Sequence, residues 1–258
     1  MNQHFRIGST SYVYPDDILP NVRKLASVVQ DIELVLFEAD EFGTNLPDAR
    51  SIAELTSLSR AHDLSYTVHL PLDLRFGDVV SMHKARRGIE ATLGLDPFAY
   101  VMHLDGRVLM DQPSRETVSH WERDAASGLA QVVKWIGDRS RVCVENVEAW
   151  DPGYFSEVVA QSNVSRCVDV GHFWLQRADP LPHLLKHLPR TRVVHMHGVG
   201  SRDHQSLRLM PQEALQSVVH VLFRENYSGV LTLEVFGVED FFTSLEALNE
   251  SIARETSR

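Results

Sequence analysis

Short apolar runs separated by longer amphipathic ones recur along the whole chain. The runs that read as strands are Phe5–Ser9, Ile32–Phe37, Ser65–Leu70, Phe98–Leu104, Arg141–Val147, Ser165–Val170, Arg192–His197 and Val230–Phe236. They are rich in Val, Ile, Leu, Tyr and Phe and mostly lack the polar alternation of a half-exposed sheet. Parallel strands covered on both faces read this way. Between them lie segments of helical period. In "NLPDARSIAELTSLSRAHD", Asn45 is the expected cap and Pro47 the early helical proline, with Ile52, Leu55 and Leu58 on one face. "PSRETVSHWERDAASGLAQVVKWIGD" reads as a longer helix closed by Gly137, and "PQEALQSVVHVLFRENYSG" opens at Pro211 and ends near Gly229. About eight strand–helix units in 258 residues have the size of a (β/α)8 TIM barrel. The competing fold is a doubly wound open sheet, which usually carries a Gly-rich phosphate turn after its first strand; "IGSTSYVYPDD" is no such turn.

Composition sharpens this picture without changing it. No linker, low-complexity tract or charge block divides the chain, so 1–258 reads as one domain, and 43% hydrophobic residues suffice for a large core. The two cysteines, Cys143 and Cys167, sit inside apolar runs, which excludes a disulfide framework and a thiolate zinc site. A formal net charge of −10 argues against a general nucleic-acid binder. No run approaches the ~18–20 apolar residues of a membrane span, and "MNQHFRIGST" has no signal-peptide pattern. The expectation is a cytoplasmic enzyme with no membrane partner.

Candidate chemistry lies at the strand ends, which in such a barrel share one mouth. From the second strand to the eighth these ends carry Glu38, His69, His103, Glu145, Asp169 with His172, the pair His195 and His197, and Glu234. Asp before Gly also ends many strands as a plain turn signal, and one His or Glu in an apolar run is commonly a hydrogen-bonded core residue. Convergence alters the reading, because each unpaired buried charge costs several kcal/mol unless a cation neutralises it. Carboxylates and imidazoles without thiolates suit Zn²⁺, Mn²⁺ or Fe²⁺ better than Ca²⁺.

This pattern resembles the xylose-isomerase-like barrel superfamily, which holds sugar isomerases and epimerases and the three-zinc type of apurinic endonuclease. The resemblance implies a metal quartet of Glu145, Asp169, His197 and Glu234. The endonuclease branch implies additional ligands at His69, His103, His172 and His204, hence two or three zinc ions, with manganese as the alternative. Its Asp-x-His loop is replaced here by Arg202-Asp203-His204, so Asp203 is out of step and Arg202 becomes a candidate phosphate contact.

Whole stretches, "IGSTSYVYPDDILPNV", "DIELVLFEADEFGTNLP", "YTVHLPLDL" and "DPFAYVMHLDG", are similar to corrinoid-remodelling phosphodiesterases of the CbiR type. That resemblance implies a corrinoid substrate: hydrolysis of the nucleotide loop of adenosylcobalamin or a related cobamide, to adenosylcobinamide phosphate and an α-ribazole-type nucleoside. A metal-lowered water pKa would supply the nucleophile, with Glu145 as shared ligand and Glu38 and His195 as acid/base candidates. Tyr12, Phe173 and Trp174, with Tyr14 and Phe76, are candidate flanks for a large ring, against ordinary loop packing. The alternatives are a one-metal sugar or sugar-phosphate isomerase or epimerase, an apurinic endonuclease, and a corrinoid-binding protein without turnover.

Overall fold

The computed structural model describes residues 3–39, 43–71 and 75–257. Parts of two stretches quoted above, at 40–42 and 72–74, lie outside the described residues. Eight strands close into one parallel barrel: β1 (Arg6–Thr10), β2 (Asp31–Val35), β3 (Ser65–His69), β4 (Ala99–Met102), β5 (Val142–Glu145), β6 (Ser165–Asp169), β7 (Thr191–Met196) and β8 (Val230–Leu233). Neighbours follow chain order, and β8 closes on β1 with Arg6 opposite Val230. The chain is therefore a single closed (β/α)8 barrel. Several strands stop short of the apolar runs that announced them. Met102, Glu145, Met196 and Leu233 are the last paired residues, because the strands diverge where they enter the mouth loops. His103, His197 and Glu234 stand just beyond those ends.

Helices cover the outside: α1 (Ile18–Leu25), α2 (Ala49–His62), α3 (Val79–Thr92), α4 (Arg115–Ile136), α5 (Ser156–Ser162), α6 (Val170–Leu175), α7 (Leu181–His187), α8 (Gln212–Arg224) and α9 (Val238–Thr256). Ser114 caps α4, its hydroxyl accepting from Thr117 N–H at 3.1 Å, and Gly137 closes it at φ +83°. α2 departs from the sequence reading. Its cap is Asp48, whose carboxylate accepts from Ser51 N–H at 2.7 Å. Asn45 instead ties the preceding loop to the sheet, donating to Val35 O and accepting from Phe37 N–H, both at 2.8 Å. α8 ends at Arg224, short of Gly229.

Alternation along each strand separates two interiors. Outward residues such as Ile32, Leu34, Val68, Val144 and Val168 join the large core between sheet and helices. The inward apolar residues Ala99, Val101, Cys143, Cys167 and Val193 form a separate small cluster. Most other inward positions are polar, and Asp31, Glu33, Thr67, His69, Glu145, Asp169, His195 and Thr232 are all buried. Burying a Val, Leu or Ile side chain contributes roughly 1.5–3 kcal/mol, so the outer core supports this polar floor. Among the described residues, no helix is long and apolar enough to cross a membrane.

Candidate metal centre

β5 delivers Glu145 to the middle of the site, where three imidazoles surround it. Its Oε2 lies 3.1 Å from His69 Nε2 and 3.2 Å from His103 Nε2; its Oε1 lies 3.0 Å from His195 Nδ1. Asp169 ends β6 and also caps α6, with Oδ1 accepting from His172 N–H at 2.7 Å. Asn146, next to Glu145, braces the same residue: its Oδ1 accepts from Asp169 N–H at 3.0 Å and its Nδ2 donates to Asp169 O at 2.9 Å. His172 turns Nδ1 to Asn146 O at 2.9 Å, and His204, at φ +49° in the mouth loop, turns Nδ1 to Glu234 O at 2.9 Å. A cleft of about 290 Å³ opens above, with Glu145, His69, His103 and Glu234 in its floor and Trp150 and Phe236 in its walls.

Donor atoms within 4.8 Å of one another fall into sets: Glu145, Asp169, His195 and Glu234; His69, His103 and Glu145; His172, His197 and His204; and Glu145, Cys167 and His195. In the first of these sets His195 stands where the sequence reading placed His197. His195, read as an acid/base group, occupies the last inward position of β7, opposite Asp169 in register. His197 lies beyond the strand, with its ring centroid 4.1 Å from that of His204. Its Nε2 still comes within 3.5 Å of Asp169 Oδ1.

Charge and burial compete at every group. Burial pushes His69 and His172 down, but the carboxylates around them outweigh it and raise both to about 9. Glu145, which burial would raise, is held well below the usual carboxylate range by His195 and His103, and Glu234 is held down chiefly by His195. His195 is raised well above its ordinary value despite burial, with Cys167, Glu33 and Glu145 around it. Burial prevails at two places, raising Asp169 and lowering His197.

Asp169 Oδ2, Glu234 Oε2 and His197 Nε2 are all buried without a hydrogen-bond partner. Glu234 Oε2 lies 3.3 Å from His195 Nδ1, outside hydrogen-bond geometry. Buried acceptors left open beside a neutral imidazole are the donor set that a divalent cation satisfies. The residues present fit such an ion.

Several other candidates lie elsewhere. Glu38 stands in a short hairpin, Glu38–Ala39 with Gly43–Thr44, and forms an ion pair with Arg87 of α3. β2 ends three residues earlier, and its inward carboxylate nearer the mouth is Glu33, which lies 3.0 Å from His195 Nε2. Phe173 is buried and packs on His183, 5.0 Å between ring centroids, in the outer layer. Trp174 packs against the core, and Tyr12 sits 6.1 Å from the Phe37 ring. Arg202 is bound to Asp240 at 3.4 Å and to the Asp203 carbonyl at 3.1 Å. None of Phe173, Trp174, Tyr12 and Arg202 is in the cleft wall, where Trp150 and Phe236 stand instead. Glu33 was legible as an inward charge alternating with Ile32 and Leu34. Trp150 carries no such periodic signal, since it comes from a loop.

A family profile described as "Xylose isomerase-like TIM barrel" matches residues 27–256. No curated protein sequence matches this chain. Among solved structures, a D-tagatose 3-epimerase-like protein superposes with TM-score 0.77 at 21% identity, covering 98% of this chain and 100% of its own. The apo form of 3-keto-D-glucoside 4-epimerase from E. coli gives 0.66 at 16%, covering 98% and 100%. A Thermus thermophilus protein soaked with ZnCl2 gives 0.65 at 18%, covering 98% and 99%. At these identities the likeness is one of fold.

Proposed function

Since the chain belongs to the xylose isomerase-like TIM-barrel family, we propose that it is a divalent-metal-dependent isomerase or epimerase of a small sugar or sugar derivative. The observation that carries this reading is the pair Glu145 and Glu234, which come from different walls of the barrel and converge on one imidazole at 3.0 and 3.3 Å. Structures of similar fold include a D-tagatose 3-epimerase-like protein and a 3-keto-D-glucoside 4-epimerase. Epimerisation beside a carbonyl needs a carboxylate to take the proton and a second to return it to the other face.

Glu145, Asp169 and Glu234 would hold the ion with His197, whose Nε2 is open, whereas both ring nitrogens of His195 already face carboxylates. Bound there, a divalent cation supplies positive charge against the oxygen that becomes negative as the proton leaves. Glu234 stands in the floor of the cleft and would be the carboxylate that accepts the proton. Glu145, held by three imidazoles, is oriented toward the same space. Trp150 and Phe236 narrow the approach and limit water at the reacting carbon.

One observation favours a second reading. His69 with His103, and His172 with His204 beside His197, form imidazole sets of which a single-ion epimerase uses His197 alone. Several ions side by side suit phosphodiester hydrolysis, and the nucleotide loop of a cobamide is the substrate that the stretch resemblance implies. Purified protein supplied with Mn²⁺ or Zn²⁺ should be assayed on D-tagatose, L-ribulose and adenosylcobalamin, with bound metal counted. Epimerised sugar with one ion per chain supports the first reading. Release of an α-ribazole-type nucleoside with two or three ions replaces it by the second.

A further inference from the structure

His195 is fully buried, and neither of its ring nitrogens faces water. Nε2 lies 3.0 Å from Glu33 Oε2, and Nδ1 lies 3.0 Å from Glu145 Oε1 and 3.3 Å from Glu234 Oε2. Both ring nitrogens therefore face carboxylates, and one side chain joins β2, β5 and the chain after β8. Glu33 is itself fully buried, and its other oxygen has no partner. It neither lines the cleft nor belongs to any of the donor sets. Its neighbours in register on the inward face are Thr10 and Thr67. A carboxylate in that layer is unfavourable unless it serves the group it touches.

We infer that Glu33 is a positioning residue of the metal centre, anchoring the His195 ring so that Nδ1 is always presented to Glu145 and Glu234. The anchor fixes the separation of those two carboxylates before an ion arrives, and it leaves His197 as the imidazole available to ligate. Without it the ring can rotate about its Cβ–Cγ bond, so that Glu145 loses its hydrogen-bond partner and Glu234 the imidazole beside it. The inference rests on the metal centre proposed above, and on no particular substrate.

The test measures Mn²⁺ affinity by titration and the melting temperature of the metal-free protein, in wild type, Glu33→Leu, Glu33→Gln and Asp169→Asn. Glu33→Leu removes the anchor, while Glu33→Gln keeps an oxygen that can accept from Nε2. We expect Glu33→Leu to melt below the wild-type temperature, because it leaves His195 Nε2 buried without a partner, and to bind Mn²⁺ roughly 10–100-fold more weakly, as loss of a group that orients a ligand does. Glu33→Gln should bind close to the wild-type value. Glu33→Thr, matching Thr10 and Thr67 beside it, gives the same reading if the leucine variant does not fold. Wild-type affinity in Glu33→Leu, or equal losses in the leucine and glutamine variants, overturns the inference. If Asp169→Asn also binds Mn²⁺ normally, the metal centre itself is wrong; if Asp169→Asn loses the ion and Glu33→Leu keeps it, only the role of Glu33 is wrong.

Discussion

Asp169 uses its two oxygens for different purposes. Oδ1 caps α6 through His172 N–H, and Oδ2 is buried and open. Asparagine can accept the same capping hydrogen bond, so Asp169→Asn should leave the metal-free fold within about 1 kcal/mol of wild type. The same variant should lose most metal affinity and about 10³-fold or more in turnover, because the charge at the centre is gone. Parallel measurements of melting temperature, bound metal and rate check it. Near-normal catalysis would reduce Asp169 to a helix cap.

Gly171 gives a second test from the opposite direction. A Cβ there would lie 2.3 Å from His197 Nε2 and 2.4 Å from its Cδ2. Gly171→Ala should therefore displace the imidazole and weaken metal binding while every ligand remains present in the sequence. Glu38→Gln, by contrast, touches only the Arg87 ion pair and should leave metal affinity unchanged. An equal loss in Glu38→Gln and Asp169→Asn would return Glu38 to the centre.

At the scale of elements, β2 shows what the sequence makes legible and what it hides. Strand order, barrel closure and the inward carboxylates of β5 and β6 follow from repeated short apolar runs ending in ionisable residues. β2 misleads because a charge comes inside the run: Glu33 is inward, as is Asp31 just before it, whereas Glu38 lies three residues beyond the strand. Which histidine of "HMH" joins the carboxylates depends on where β7 leaves the sheet, after Met196. Side-chain period alone cannot locate that point, and it says nothing of the loop aromatics.

Asp31 also gives β2 a pH signature. Burial outweighs the hydrogen bond it accepts from Ser65 and raises the carboxyl from 3.8 to about 7. The folded state thus prefers the neutral acid while the unfolded chain is ionised. Stability from this group is full below about pH 4, declines as pH rises through the window to about 7, and levels off above it. The decline amounts to at most about 4 kcal/mol. His183 and His187, lowered by burial to about 3 and about 4, act in the opposite sense, and their contribution falls away as pH drops below about 6.5. Comparing wild type with Asp31→Asn isolates the carboxyl: the urea midpoint at pH 8 relative to that at pH 5 should be higher in the variant than in wild type. An unchanged difference refutes the assignment.

At the scale of the whole molecule, the centre belongs to no single element. Its residues come from β3, β5, β6 and β7, from α6, and from the segments just beyond β4, β7 and β8. An ion that binds only this assembly stabilises the fold by mass action. Mn²⁺ at a hundredfold excess over its dissociation constant should add about 2.7 kcal/mol, read as a rise in melting temperature that Asp169→Asn does not show. An equal rise in both proteins would place the ion elsewhere.

The seam between β1 and β8 carries its own consequence for how the molecule comes into being. Thr10 Oγ1 donates to Val235 O at 3.2 Å across 225 positions of chain. During synthesis β1 can pair with β2 early, yet its other edge must wait for β8, on the order of 10–50 s at ribosomal rates of ~5–20 residues per second. Through that interval the nascent sheet is an open arc with two unpaired edges, exposed to pairing with other chains. The last strand to emerge removes both edges at once.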